Sequence, residues 1–130
     1  MIDCELVTTT YLDGQLSTQV VPEAPDDTSE AWVQVYQMDS GQVSAKDVDH
    51  FNVYYLQIDC YPSGDGIEHQ EEAADLRTAV CSALTAMPAA THTGAVITAV
   101  RFTTRRLPDT EFKPPRQRYI VSASVYGHAA

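Results

Sequence analysis

The chain has 130 residues and a mass of 14.3 kDa, enough for one core and one domain, residues 1–130. Hydrophobic residues make up 44% and charged residues 20%, which is a globular composition, and no apolar stretch approaches the ~20 residues of a membrane span. Eighteen acids against eight bases give a net charge of −10, the wrong sign for a protein that grips duplex DNA through its phosphates.

No basic segment followed by an apolar one opens the chain, so a soluble protein made and used without secretion is expected. The first residues predict a short helix: Asp3 caps it, Ile2, Leu6 and Tyr11 lie near one face, and Gly14 stops it. The run Thr8–Thr10 opposes that helix, because β-branched residues lose rotamer freedom there. A short strand is expected at residues 17–21. Residues 22–30 then hold two prolines and four acids, which predicts an exposed acidic loop.

Residues 31–38 alternate, with Val33 and Val35 facing one way and Trp32 and Tyr36 the other, a strand pattern. Asp39-Ser40-Gly41 has turn chemistry. Residues 48–61 carry the strongest strand signal. Tyr54, Leu56, Ile58 and Cys60 share one face, and Phe51, Val53 and Tyr55 share the other. Apolar residues on both faces predict a central strand.

Residues 62–66 break that strand, and Asp65 followed by Glu68 has the spacing of a capping box. A helix is expected from there to about Met87, because Ala73, Leu76, Val80, Leu84 and Met87 recur at spacings of 3 or 4. Pro88 ends it, and residues 89–93 connect to a strand at 94–104 with Val96, Val100 and Phe102 on one face. A last strand is expected at 118–126, with Tyr119, Val121, Ala123 and Val125 on one face. The order α-β-β-β-α-β-β predicts an α+β fold: a four- or five-stranded sheet, mixed or antiparallel, with a short and a long helix packed on it.

Candidate chemistry is sparse. Cys4, Cys60 and Cys81 are far apart, odd in number and without a C-x-x-C, which suits reduced, mostly buried thiols. The four histidines (His50, His69, His92, His128) show no ligand spacing, so no metal is expected. Gly64-Asp65-Gly66 sits where phosphate loops occur, but His69 replaces the third glycine and the surrounding acids would repel a phosphate. No nucleophile elbow is present. Asp59 on the central strand could be a perturbed carboxylate, though such a residue more often faces solvent or a neighbouring subunit. Neither an enzyme nor a cofactor is expected.

Charge is unevenly distributed. Residues 1–75 carry sixteen acids and one base, Lys46, whereas residues 76–130 carry two acids and seven bases. Two halves of opposite sign can satisfy each other internally or pair head-to-tail between copies. Glu68, Glu72 and Asp75 share one flank of the long helix. They form either a solvated face or a surface that repels nucleic acid or meets a basic partner. Residues 103–117 hold Arg105, Arg106, Lys113 and Arg116 with three prolines, and Arg118 follows. A connection of that length is usually functional, and prolines stiffen it into a projecting arm. In so acidic a chain the arm favours a protein partner over nucleic acid. Asp26, Asp27 and Glu30 of the acidic loop are the first candidates to receive it.

The order of these features resembles the tail terminator proteins of long-tailed bacteriophages. A short N-terminal helix and a Pro-containing loop lead to Trp32-Val33-Gln34-Val35. A central strand ends in Leu56-Gln57-Ile58-Asp59-Cys60-Tyr61, an alanine-rich helix covers 73–87, and a long Pro/Arg loop enters Arg118-Tyr119-Ile120-Val121. The resemblance spans almost the whole chain. It implies a structural protein of the virion, assembled in the host cytoplasm. Such a protein forms a ring, typically hexameric, on the head-proximal end of the tail tube, stops tube polymerisation and presents a surface to the head-completion or stopper protein. DNA would pass through without being specifically bound, and no membrane is involved. Another neck or tail-completion/head-closure component and a small α+β enzyme or ligand-binding domain are the alternatives.

Overall fold

The computed structural model describes residues 2–42 and 52–130. Among the described residues nine strand and helix segments follow one another, two of them short 3-10 turns: α1 Cys4–Gln15, β1 Gln19–Val21, β2 Trp32–Gln42, β3 Asn52–Tyr61, a 3-10 turn Ile67–His69, α2 Gln70–Ala86, a second turn Met87–Ala89, β4 Ala95–Arg106 and β5 Tyr119–Ala129. The strands form one five-stranded sheet in the order β1-β2-β3-β5-β4. β1 runs parallel to β2, and the other neighbours are antiparallel, so the sheet is mixed. The α+β class and the order α-β-β-β-α-β-β are as expected from the sequence.

Both helices cover one face. Cys4 and Leu12 of α1 and Leu76, Val80, Ala83 and Leu84 of α2 form one buried cluster with Val33, Val35, Tyr54, Leu56, Ile58, Cys60, Val121, Ala123 and Val125. Every second residue of β3 enters it, as strand alternation requires. β3 is central, with β2 and β5 on either side.

Several local expectations are corrected. Helix α1 buries Cys4, Thr8 and Leu12, whereas Leu6 is 61% exposed. The helix is phased by the i, i+4, i+8 series, in which the buried Thr8 hydroxyl lies 3.8 Å from Cys4 Sγ. Asp3 caps it as expected, accepting from Leu6 N–H at 3.1 Å. Gly14 lies inside the helix, which closes when Leu16, in extended conformation, returns its N–H to Leu12 O at 2.9 Å.

Asp39-Ser40-Gly41 is strand, not turn: these residues pair with Tyr55, Tyr54 and Val53. A bulge at Met38 takes up one residue, and the ladder offered by β3 overrides the local turn preference. The expected start of the central strand, 48–51, lies outside the described residues. Asp65 and Glu68 form no capping box. Gly66, at φ 93°, precedes the 3-10 turn, and α2 itself begins at Gln70 without a side-chain cap. On β4 a register shift between Ile97 and Ala99 turns Val96 outward (42% exposed) and Ile97 inward. Opposite this bulge β5 carries Gly127, where a Cβ would lie 2.7 Å from Val96 O, so the strands approach there only because the side chain is missing.

Candidate partner-binding surface

The second face of the sheet carries the other alternates, mostly polar apart from Trp32 and Ile120: Trp32, Gln34 and Tyr36 on β2, Gln57, Asp59 and Tyr61 on β3, and Ile120 and Ser122 on β5, joined by the registers Trp32↔Tyr61, Gln34↔Asp59 and Asp59↔Ile120. No helix covers it. Residues 107–118 fold back over one end instead. Asp109 and Arg116 form a bridge with backbone bonds of 2.8 and 3.1 Å, and Leu107 N–H donates to Arg118 O at 3.0 Å. The segment expected to project as an arm is therefore partly a strap lying on its own sheet.

The strap is held by an aromatic stack and two arginines. Trp32 and Tyr61 stack at 4.3 Å and 15°, and Phe112 tilts against both at 6.2 and 6.1 Å. Arg116, only 3% exposed, lies 4.8 Å above the Trp32 ring and 5.4 Å from Phe112. Its guanidinium donates to Pro62 O at 2.7 and 3.3 Å and to Thr28 O, and sits 3.5 Å from Asp65. One side chain thus ties the strap, the acidic loop and the turn after β3 together.

Arg118 donates from Nε to Leu107 O at 2.9 Å. Its Nη1 lies 3.6 Å from both Asp59 and Asp109. Tyr36 OH donates to Asp59 and Tyr61 OH to Asp109, each at 2.8 Å, and Gln57 Nε2 donates to Asp59 at 3.0 Å. Burial pushes the Asp59 carboxyl above the ordinary aspartate range, even though Gln57, Tyr36 and Arg118 all favour its charge. Burial and the neighbouring carboxylates raise the Tyr36 and Tyr61 hydroxyls, which remain donors. This network forms a polar floor under the strap. The sequence favours an Asp59 that faces solvent or a neighbouring subunit over a perturbed carboxylate; the structure corrects this, because Asp59 is buried beside Tyr36, Gln57 and Arg118. Its partner Asp109 was missed, because the strap was read only for its bases. The alternation that places Tyr36, Asp59 and Tyr61 on one face was the available signal.

The candidate residues therefore divide. Arg116 and Arg118 are engaged within the chain. Arg105, Arg106 and Lys113 are exposed and, among the described residues, form no ion pair, although Arg106 donates to Gln117 Oε1 at 3.1 and 3.3 Å. Asp26, Asp27 and Glu30 are exposed on the loop. Asp27 closes a tight turn, accepting from the Ser29 hydroxyl at 2.6 Å and its N–H at 2.9 Å, and these bonds hold its carboxyl below the usual range. The acids expected on one flank of the long helix separate: Glu68 is exposed on the 3-10 turn before α2, Asp75 is exposed on α2, and Glu72 accepts from Ser63 N–H and Oγ, both at 2.9 Å, and holds the turn before the helix.

Strand order decides where the remaining charges sit. Arg105 and Arg106 end β4, one edge of the sheet, and the acidic loop follows β1, the opposite edge. The four inter-strand spacings between the edges amount to about 19 Å. Among the described residues no group of three or more His, Cys, Asp or Glu side chains is placed to hold a metal, and no helix is long and apolar enough to cross a membrane. Cys4 and Cys60 are buried, and burial pushes the Cys4 thiol up to about 11, far from a reactive thiolate.

No curated protein matches the chain. A family model described as "Tail completion protein gp17" matches residues 7–121, from the first turns of α1 into β5. That span includes the whole helix-covered sheet apart from the end of β5, together with the strap and both charged edges, and on it the chain belongs to the tail completion protein gp17 family of phage tail proteins.

Proposed function

We propose that the chain acts as a single domain that closes the head-proximal end of the phage tail tube as a ring, most simply of six copies. In that place it stops tube polymerisation and gives the head-completion or stopper protein a surface to join. The observation that carries this reading is the opposite charge of the two sheet edges in a member of the tail completion family. A subunit with a basic edge and an acidic edge is heterologous, and heterologous contacts close into rings when the rotation permits.

Arg105, Arg106 and Lys113 of one copy would meet Asp26, Asp27 and Glu30 of the next or acids of the tube protein. Arg116 and Arg118 would support this contact from beneath by fixing the strap. Glu68, exposed on the 3-10 turn before α2, and Asp75, exposed on α2, suit a surface that keeps passing DNA from sticking, or one that meets a basic neighbour.

The test is electron microscopy of the purified protein, alone and with tail tubes, beside the double variant Arg105→Glu/Arg106→Glu. The parent should cap tubes as a ring, and the variant should fold normally yet leave tubes uncapped and overlong. Binding of the parent to heads but not to tubes would assign it to head closure instead.

A further inference from the structure

The strand registers connect the two edges of the sheet rung by rung. Val21 pairs with Gln34, Gln34 with Asp59, Asp59 with Ile120, and Ile120 with Arg105. One rung below, Val20, Val33, Cys60, Tyr119 and Arg106 form the same series. The short strand β1 and the basic end of β4 therefore lie at the same height on opposite edges. Strand directions add a second constraint. β1 and β2 run one way, β3 the other, β5 the first way and β4 the other. A copy set beside the first in the same orientation brings its β1 against β4 in antiparallel sense, the hairpin-like geometry.

Among the described residues the basic half of the β4 edge is open: apart from a bridge between Ala95 and His92 at its far end, the twelve residues of β4 pair with β5 alone, and they include no acid and no proline. Leu107 N–H bonds Arg118 O, so by antiparallel alternation Arg105 turns its backbone to β5, while Thr104 and Arg106 turn theirs outward.

On the reading that the protein works as a ring, we propose that the joint is a continuation of the sheet: β1 of one copy adds antiparallel to the open edge of β4 of the next. Val21 then stands opposite Arg105, and Val20 opposite Arg106. The acidic loop that leaves Val21 carries Glu23, Asp26 and Glu30 to the basic side chains on that edge. Charge selects the partner and the backbone ladder sets its height. An edge that is merely guarded by charge would be guarded equally well by acids. A joint of this kind depends on the sign.

The ladder is tested separately from the charge by Thr104→Pro. This change removes an outward N–H and leaves the bonds to β5 and all three β4 arginines in place. The far-ultraviolet spectrum should match the parent, and the ring fraction at equal concentration should fall about tenfold or more, since the loss recurs at every joint. If Thr104→Pro unfolds, trapping decides: Val21→Cys/Arg105→Cys in a Cys81→Ser background should give covalent multimers on oxidation with tail tubes, and Val21→Cys/Arg101→Cys, four residues along the strand, should not. Rings that form as in the parent with a folded Thr104→Pro, or that cross-link only in the shifted pair, overturn the sheet joint and leave the ring intact. A parent that caps tubes without forming a ring overturns both.

Discussion

Replacing Arg116 by alanine removes the guanidinium that joins three loops, and its cost can be worked from the contacts. Two carbonyl acceptors, Pro62 O and Thr28 O, lose a charged donor. Hydrogen bonds to charged groups contribute about 1.5–3 kcal/mol each, and the contact with the Trp32 ring adds about 0.5–2 kcal/mol. Against this stands the desolvation of a nearly buried cation, several kcal/mol before pairing. Its ion-pair partner Asp65 is 46% exposed and offsets little of that. A net loss of about 3 kcal/mol is expected. For a chain of this size that corresponds to a fall in Tm of about 10 °C. Asp65→Asn should cost less than about 1 kcal/mol, because that carboxylate is half in water. Thermal and urea unfolding followed by circular dichroism give the global values. Trp32, the sole tryptophan, reports locally through its fluorescence, since it lies directly under the guanidinium. A fall in Tm below about 2 °C, with unchanged tryptophan emission, would refute the role of Arg116 as the tie.

Arg105→Glu/Arg106→Glu should leave Tm within a few degrees of the parent, because exposed charges contribute about 0–1 kcal/mol each, while assembly is lost and, in the parent, weakens with salt. Gly127→Ala should destabilise by about 1–3 kcal/mol, because the new methyl meets a backbone carbonyl that cannot swing aside; urea midpoints measure this. Leu84→Ala, in the fully buried stripe of α2, should cost about 2–5 kcal/mol by the same assay. Asp59 predicts a pH dependence. Its folded pKa is raised above the unfolded value, so its contribution is fully present below the unfolded pKa and is lost as pH rises through the folded one. The stability of the parent relative to Asp59→Asn should therefore decline from acid towards neutral pH, and a difference that grows with pH would contradict the burial argument.

Periodic features were legible in the sequence. The α2 stripe and the alternation of β3 are long, so their period survives local noise, and they place the core correctly. The two strand bulges were not legible, because a one-residue slip at Met38 or Thr98 depends on the neighbouring strand and leaves no local mark. The buried face of α1 was missed for a related reason: a threonine satisfied by a cysteine sulfur does not score as core. The candidate surface was readable only in part. The clustering of bases was plain, but Arg116 finds its carbonyls 54 and 88 residues away in sequence, and nothing near it distinguishes it from Arg105. Arg118 is disguised in the same way by Asp59 and Asp109.

The place of β5 between β3 and β4 has a consequence for synthesis. The sheet's middle pair joins Cys60 to Tyr119 and Asn52 to Gly127, so it closes across some sixty to seventy-five residues of chain. Until β5 leaves the ribosome, β3 has one unsatisfied side and β4 has no partner at all among the described strands. A nascent or truncated chain lacking Tyr119–Ala129 is thus two fragments of sheet with bare edges, slow to fold and prone to associate wrongly. The same strand that completes the core brings β4 into place as an edge. A subunit therefore acquires its basic edge only once it has folded, which on the proposed function would keep half-made copies out of the ring.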